Sequence, residues 1–422
     1  MPIRGLESRE LFKTRKSEYF FPAQAITDVH RLRGRNKELR NVEKALSSPG
    51  RQCFIFGERG VGKTSLAKTA YRENFPEVSD ILLVGCEETS SFSSILRALI
   101  EKGIQEAPNK QSSGWKARFS FKTGIMNTEI ERSISEGKVP DITDVNHAIH
   151  VLSYLRKSGR LPPAAIIDEF DRIISDAQRT RFADFLKQAS DQELDLKLIF
   201  CGIAQDIESL IGSHLSVGRY IAPIELGRLH LNELWEIIEG PCDECGIRIN
   251  KEYLIRSSQI ADGYPYFMHL LGDCLFWSLN NAHYETAEVR YENFDEAVRE
   301  AVSDAEPILK DAYDKATKKY DKIYEEVLWA VAAGSHLERK WQDTYEIYRS
   351  DIASLQSYRQ QIGRDTFYKR MLALTKPEFG EILQTNKNGW YSFSENVVRS
   401  YVRLRAVEGG MSLAPDMHRV PD

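Results

Sequence analysis

Five short apolar runs mark the first half of the chain: Cys53–Phe56, Ile81–Cys86, Ala164–Asp168, Leu198–Ile203 and Tyr220–Leu226. Runs of this length predict buried strands. Between them, apolar residues recur at helical spacing in Lys63–Tyr71, Phe92–Lys102, Arg179–Gln188 and Ile207–Ile211. Strand–helix alternation at this interval implies right-handed crossovers and a mainly parallel sheet covered on both faces. Ala107–Asp144 breaks the pattern. Its "APNKQSSGWKARFSFKTG" is polar, contains glycine and has weak periodicity, which predicts an insertion or a long surface connection.

From about Asn232 the strand signals stop. Helical patterns follow at Glu233–Ile238, Glu252–Ile260, Phe267–Leu279 and Asn293–Ser303, an all-helical second domain. A charged helix, "LKDAYDKATKKYDKIYEEVLWAVAA", leads into a third unit with helices at Tyr345–Ser354 and Asp365–Leu374. There "GEILQTNKNGWYSF" alternates on either side of Asn388-Gly389, a strong hairpin signal. Three helices and a hairpin in this order predict a winged helix. The expected organisation is an N-terminal arm (1–30), a core (31–229, with the insertion at about 107–144), a helical lid (230–304), a winged-helix domain (305–410) and a tail (411–422).

Composition narrows the class. Of 422 residues, 42% are hydrophobic and 28% charged, the proportions of a globular protein of two or three domains. The net charge of −5 rules out a general polycation, so any nucleic-acid contact must be a local patch. No 18-residue apolar run is present, and the first residues lack the apolar core of a signal peptide, so no membrane association is expected. The scattered cysteines fit a reducing cytoplasm. Cys242 and Cys245 form a lone CxxC with no second pair, which reads as two helix residues near a turn rather than a zinc site.

The chemistry concentrates in "IFGERGVGKTSLA". Gly57, Glu58, Arg59, Gly60, Val61, Gly62, Lys63 and Thr64 match G-x-x-x-x-G-K-[ST]. The glycines let the loop curl so that backbone N–H groups point at phosphate oxygens. Lys63 brings a cation to the β- and γ-phosphates, the Thr64 hydroxyl can ligate Mg²⁺, and the helix that opens through Ser65 aims its positive end at the same anion. A chance match would arise in about one chain in a hundred of this length, and here the match also lies between a strand and a helix. A second run, "LPPAAIIDEFDRI", ends its strand in Asp168-Glu169. Alone it would read as a solvated acidic turn. Downstream of a phosphate loop, Asp168 is placed to hold the Mg²⁺ shell and Glu169 to polarise an attacking water. The adjacent acid pair favours water as nucleophile, hence hydrolysis rather than phosphorylation of a second substrate.

Together "RLRGRNKELRNVEKAL", "FFPAQAI", "IFGERGVGKTSLA", "IIDEFDR", "SHLSVGR" and "DGYPYFMHLLG" resemble prokaryotic AAA+ ATPases with a C-terminal winged helix. These are related to the origin-recognition/Cdc-type replication initiators and to the STAND signalling ATPases. The likeness spans roughly residues 20–405. It implies an α/β P-loop NTPase sheet (AAA+-like), then an all-helical lid and a winged-helix domain, with ATP and Mg²⁺ as ligands. It also implies that Arg35 and the helix after it lie beside the adenine, and that Leu198–Ile203 is the sensor-1 strand. The usual polar residue is not evident on that strand, where Cys201 or Gln205 stands. Arg219 falls where such proteins often place an arginine finger, reaching a neighbour in a homo-oligomer; a solvated or salt-bridged arginine is the alternative. Pro265, in Gly263-Tyr264-Pro265, resembles the lid turn that packs toward the base. His269 occupies the sensor-2 neighbourhood, against the plainer reading of a packed helix histidine.

In the C-terminal unit, "GRDTFYKRMLALTK" reads as a recognition helix, with Arg364, Lys369, Arg370 and Lys376 basic and Phe367, Met371 and Leu374 forming the apolar stripe. Lys387 sits at the wing tip. Between Gln360 and Arg405, eight Lys/Arg stand against four Asp/Glu, a local excess that can attract phosphates. Two functions follow from the whole. The first is an ATP-hydrolysing switch that oligomerises with ATP and acts on double-stranded DNA. The second is a STAND-like signalling or anti-phage defence ATPase whose winged helix docks a protein effector. A small-molecule kinase fits less well, because it needs neither lid nor winged helix.

Overall fold

The computed structural model describes residues 3, 6, 8–106, 139–203, 217–282, 287–318, 321–352, 361–386 and 388–413. Most of the expected insertion and the expected helix Ile207–Ile211 lie outside them. The chain divides into two compact units. One comprises Ala25–Glu58 and Gly62–Gly227; the other comprises Met1–Gln24, Arg59–Val61 and Arg228–Asp422.

The first unit is built on a five-stranded parallel sheet. Its strands are β1 (Gln52–Phe56), β2 (Leu83–Gly85), β3 (Ala164–Asp168), β4 (Lys197–Gly202) and β5 (Ile221–Glu225), in the order β2-β3-β4-β1-β5. Strands β1, β3 and β4 are interior and buried along nearly their whole length, so they read as continuous apolar runs rather than alternating ones. Pro223 lacks the N–H that a second neighbour would require, and β5 is an edge strand paired only to β1. The buried polar Gln52 fixes the start of the β1–β4 pairing. Its Oε1 accepts from the Leu198 N–H at 2.6 Å and its Nε2 donates to the Leu196 carbonyl at 3.3 Å.

An aromatic core lies on one face of this sheet. Phe54 and Phe200, on β1 and β4, stack with centroids 5.8 Å apart, and Phe170 meets them edge-on at 5.8 and 5.5 Å. Phe92, Phe182 and Phe185 extend the cluster from the helices Phe92–Glu106 and Asp176–Asp191. Phe170 directly follows the acidic pair Asp168-Glu169. The packing that excludes water from the core therefore also anchors the turn carrying those carboxylates.

The second unit is helical except for one small sheet. Helix Arg9–Tyr19, from the expected arm, packs on helix Pro265–Asn281 through Phe12 against Trp277 (5.0 Å) and an ion pair between Lys16 and Asp273. Helices Leu231–Glu244, Lys251–Ala261 and Tyr291–Asp304 complete the four-helix pattern read from the sequence. Beyond Pro307–Thr317 come Ile323–Ala332, Trp341–Ile347 and Arg364–Ala373, then an antiparallel hairpin of β7 (Leu383–Thr385) and β8 (Trp390–Phe393). A two-residue strand, β6 (Arg339–Lys340), pairs with β8 on its other side. The Asn386 side chain accepts from the Asn388 and Trp390 N–H groups, and Gly389 adopts the positive φ of 74° the turn needs. The helix expected over Tyr345–Ser354 begins earlier, at Trp341, and widens into a π-turn at Tyr348–Ile352.

A buried ionic cluster ties this unit together. Asp262 caps the helix Lys251–Ala261 in the left-handed region, with φ 51°. Its two oxygens accept from Arg399 and Arg403, both at 2.8 Å, and Arg228 adds a third contact at 3.1 Å. Arg399 and Arg403 lie one turn apart on helix Asn396–Glu408 and are fully buried. Further N–H groups of the two arginines reach carbonyls at the ends of two helices: Gln259 for one, Ala332 and Gly334 for the other. Helix C-termini carry partial negative charge, so two guanidinium groups are tolerated beside one carboxylate. Burial, reinforced by the Arg403 charge, lowers the Arg399 pKa to about 9, which leaves it charged at neutral pH.

Removing the shared carboxylate would strand two buried cations. Asp262→Ala should cost about 3–5 kcal/mol and lower the urea midpoint of this unit. An unchanged unfolding midpoint would show that the helix-end carbonyls hold both arginines without Asp262.

Candidate nucleotide site

Strand β1 hands the chain to helix Lys63–Asn74 through Gly57–Gly62. Gly60 and Gly62 hold positive φ of 84° and 98°, a conformation in which a side-chain-bearing residue is strained. Gly62 is the N-cap, and no side chain caps the helix end there. Its first-turn N–H groups thus keep the character of an anion site. Glu58, Arg59 and Val61 supply the rest of the loop backbone. Lys63 curls back, and its Nζ donates to the carbonyls of Gly57 and Glu58, each at 3.0 Å.

The next residue makes the decisive contact. Thr64 Oγ1 donates to Asp168 Oδ2 at 2.8 Å. Strand β4 lies between β1 and β3, so this bond joins the start of the helix after β1 to the end of β3 across an intervening strand. Asp168 is 9% exposed, and its Oδ1 accepts the Glu169 N–H at 2.9 Å. Glu169 itself has φ 54° and ψ 41°, the left-handed region that a glutamate occupies only when its surroundings impose it. That backbone turn points the chain back into the buried Phe170 while the Glu169 side chain stays exposed. The carboxylate meets Arg172 at 3.4 Å in a solvent-exposed pair, too weak to lock it in place.

Cys201 closes the site from β4. Its Sγ lies 3.9 Å from the Lys63 carbonyl. Burial pushes its thiol pKa well above the ordinary value, and Asp168 beside it pushes further in the same direction. Of the two residues considered for the sensor-1 position, Cys201 is therefore next to the acidic pair as a protonated thiol; Gln205 lies outside the described residues.

A hydroxyl, a carboxylate and an ammonium converge within this small volume. The two oxygen ligands suit a hard cation such as Mg²⁺, and the lysine with the uncapped helix end suits a phosphate chain. The residues present fit a nucleotide–metal pair. Ser65, expected in the cradle, uses its hydroxyl otherwise: it accepts the Ile26 N–H at 3.1 Å, while Thr69, one turn on, donates to the Ile26 carbonyl at 3.2 Å. Those two hydroxyls strap the segment before the helix Asn36–Ser47 onto helix Lys63–Asn74. No sequence motif signals this strap. Arg35 is buried and donates to the Gly227 carbonyl at 2.8 Å. Arg219 ends a short 3₁₀ turn before β5 and is exposed.

The remaining expected site residues lie in the helical unit. Gly263, with φ 88°, and Pro265, first residue of its helix, form a turn. His269 is accounted for by packing. It is buried against Phe20 and Phe21, its Nδ1 accepts the Phe21 N–H at 3.4 Å, and burial lowers its pKa to about 4. Arg364 and Lys369 are exposed on their helix. Arg370 departs from its expected role as a DNA contact, because its guanidinium pairs with Asp321 at 2.8 Å and covers the Tyr324 ring. Lys387 lies outside the described residues. The local basic excess is also smaller at the surface than in the sequence, since Arg399 and Arg403 are buried and Arg405 pairs with Glu408 and Glu325. Cys242 is buried, and no group of three or more His, Cys, Asp or Glu among the described residues could hold a metal ion. Among these residues no helix is long and apolar enough to cross a membrane.

Comparison with known proteins agrees with this geometry. Residues 31–199 match the family model described as AAA ATPase domain. A Walker-type ATPase of Pyrococcus abyssi superposes with a TM-score of 0.51 at 14% identity, over 90% of this chain and 99% of that one. Cdc6p of Pyrobaculum aerophilum aligns at 12% identity with a TM-score of 0.43, over 94% of this chain and 99% of that one. The RuvB Holliday junction branch migration motor of Thermotoga maritima aligns at 11% identity with a TM-score of 0.42, over 92% and 98%. No curated protein matches the chain. Residues 31–199 are thus similar to an AAA ATPase domain, and the five-stranded parallel sheet they largely supply is that of the P-loop fold.

Proposed function

We propose that the chain is a Mg²⁺-dependent ATPase that works as a conformational switch in a DNA transaction. The observation carrying this reading is the Thr64–Asp168 hydrogen bond with Glu169 beside it. Adenine as the base is favoured by the match to the AAA ATPase domain. Bound MgATP would supply the phosphoanhydride to be cleaved and the cation that neutralises its charge.

The chain's own residues then have distinct tasks. Thr64 and Asp168 would hold the metal. Lys63, now resting on two loop carbonyls, is the cation available to phosphate oxygens. Glu169, exposed and loosely paired, orients a water and accepts its proton. Arg35 braces the base side by holding the carbonyl of Gly227. Arg219 serves a neighbouring copy in a homo-oligomer, where its charge would stabilise the cleavage transition state. DNA is the partner assigned to the C-terminal unit, in which a helix exposing Arg364 and Lys369 precedes a hairpin, the arrangement of a winged helix.

Lys63→Ala should lose nucleotide binding, whereas Glu169→Gln should bind ATP and lose hydrolysis by at least about 100-fold, read by phosphate release under saturating ATP. Wild-type turnover by Glu169→Gln would remove it from the role of base. For the oligomer, Arg219→Ala protein should bind ATP yet turn over slowly, and mixing it with Lys63→Ala protein should restore activity. A mixture no more active than its components would count against an arginine acting across subunits.

A further inference from the structure

The helix Arg364–Ala373 does not present the surface of a helix built only to dock in a groove. Two of its outward residues, one turn apart, are Tyr368 and Leu372, 37% and 39% exposed. Tyr368 packs against Trp341 with ring centroids 5.0 Å apart. Trp341 in turn lies against Gly389 of the hairpin, and the next residue, Trp390, is 36% exposed. Trp341, itself half-buried, thus links the Tyr368 ring of the helix to the hairpin that carries Trp390.

Cations are already placed on these rings. The Arg364 guanidinium lies 5.3 Å from the Trp341 ring centre. Lys340, the β6 partner of Trp390, holds its ammonium 5.6 Å from the Trp390 ring. Lys369 is exposed on the same helix as Tyr368. Exposed Asp343 and Asp365 stand close by in sequence, so the patch is only weakly basic overall. A ligand that combines flat apolar faces with regularly spaced negative charge matches this surface. In a duplex the base faces are stacked away inside; in an unpaired strand they are available, and aromatic rings bind them with little regard to sequence.

We propose that Trp341, Tyr368 and Trp390, with Lys340, Arg364 and Lys369, form a stacking surface for single-stranded nucleic acid. The proposal rests on the reading of the C-terminal unit as a nucleic-acid-binding module and specifies which form of nucleic acid it takes. Stacking rather than charge dominates the affinity. Three cations on a single strand give a slope of about −2 in log K against log salt, shallow for a DNA-binding protein.

The test uses the full chain and labelled oligonucleotides of about fifteen nucleotides, the scale of a single-strand site, as an oligo-dT strand and as a duplex. Fluorescence anisotropy should show tighter binding to the strand, with quenching of tryptophan emission. Trp390→Ala and Trp341→Ala should each weaken strand binding at least about fivefold, while Trp390→Phe should retain it. Trp390 is at the surface, so its variants should melt with the wild type even if Trp341→Ala proves unstable. Preferential duplex binding that ignores Trp390→Ala would overturn the stacking surface and leave the DNA reading standing. Binding to neither oligonucleotide, with or without a protein found to dock on these rings, would overturn both.

Discussion

A single hydroxyl-to-carboxylate hydrogen bond organises the sheet-bearing unit of this protein. Thr64 begins the helix after β1 and Asp168 ends β3, yet β4 separates the two strands. The phosphate loop and the acidic strand end meet at the C-terminal ends of interior strands. Everything around the bond serves to hold its two ends. Gln52 fixes the register of β1 on β4, Phe170 plugs the chain into the core just past the acidic pair, and the Ile26 strap holds the helix bearing Thr64. The cost is visible in the backbone. Gly62 and Glu169, on the two sides of the site, both adopt left-handed conformations.

The helical unit solves a different problem with similar means. A charged cluster joins the end of the helix Lys251–Ala261 to the helix Asn396–Glu408. One carboxylate and three helix-end carbonyls accept hydrogen bonds from two fully buried guanidinium groups. Such a cluster demands that its members arrive together, because any one left alone is a buried unpaired charge. It therefore favours a rigid joint over a flexible one between the four-helix portion and the C-terminal portion of the unit.

Much of this was legible in the sequence because it depends on local chemistry. Buried parallel strands must be continuous apolar runs, and a phosphate loop must have glycine where φ is positive, so β1, β3, β4 and the loop could be located from residues alone. The hairpin was legible for the same reason, since Asn388-Gly389 has few other uses. What escaped was set by distant partners. Arg370, Arg399 and Arg403 look like surface cations in a string of letters, but Asp321 and Asp262, remote in sequence, draw them inward. The Ser65 and Thr69 strap and the aromatic surface around Trp341 depend likewise on contacts between distant segments. His269 shows the converse: a residue in a suggestive place, buried by the two phenylalanines that follow a helix far upstream.

Thr64 and Asp168 are proposed to act as one metal site beneath a nucleotide. Titration calorimetry of ATP with and without Mg²⁺ on Thr64→Val, Asp168→Asn and the double variant tests it most directly. The account predicts that each single variant loses the Mg²⁺-dependent gain in affinity, keeps metal-free binding, and is not worsened by the second change. Either single variant binding MgATP with the full wild-type gain would contradict it.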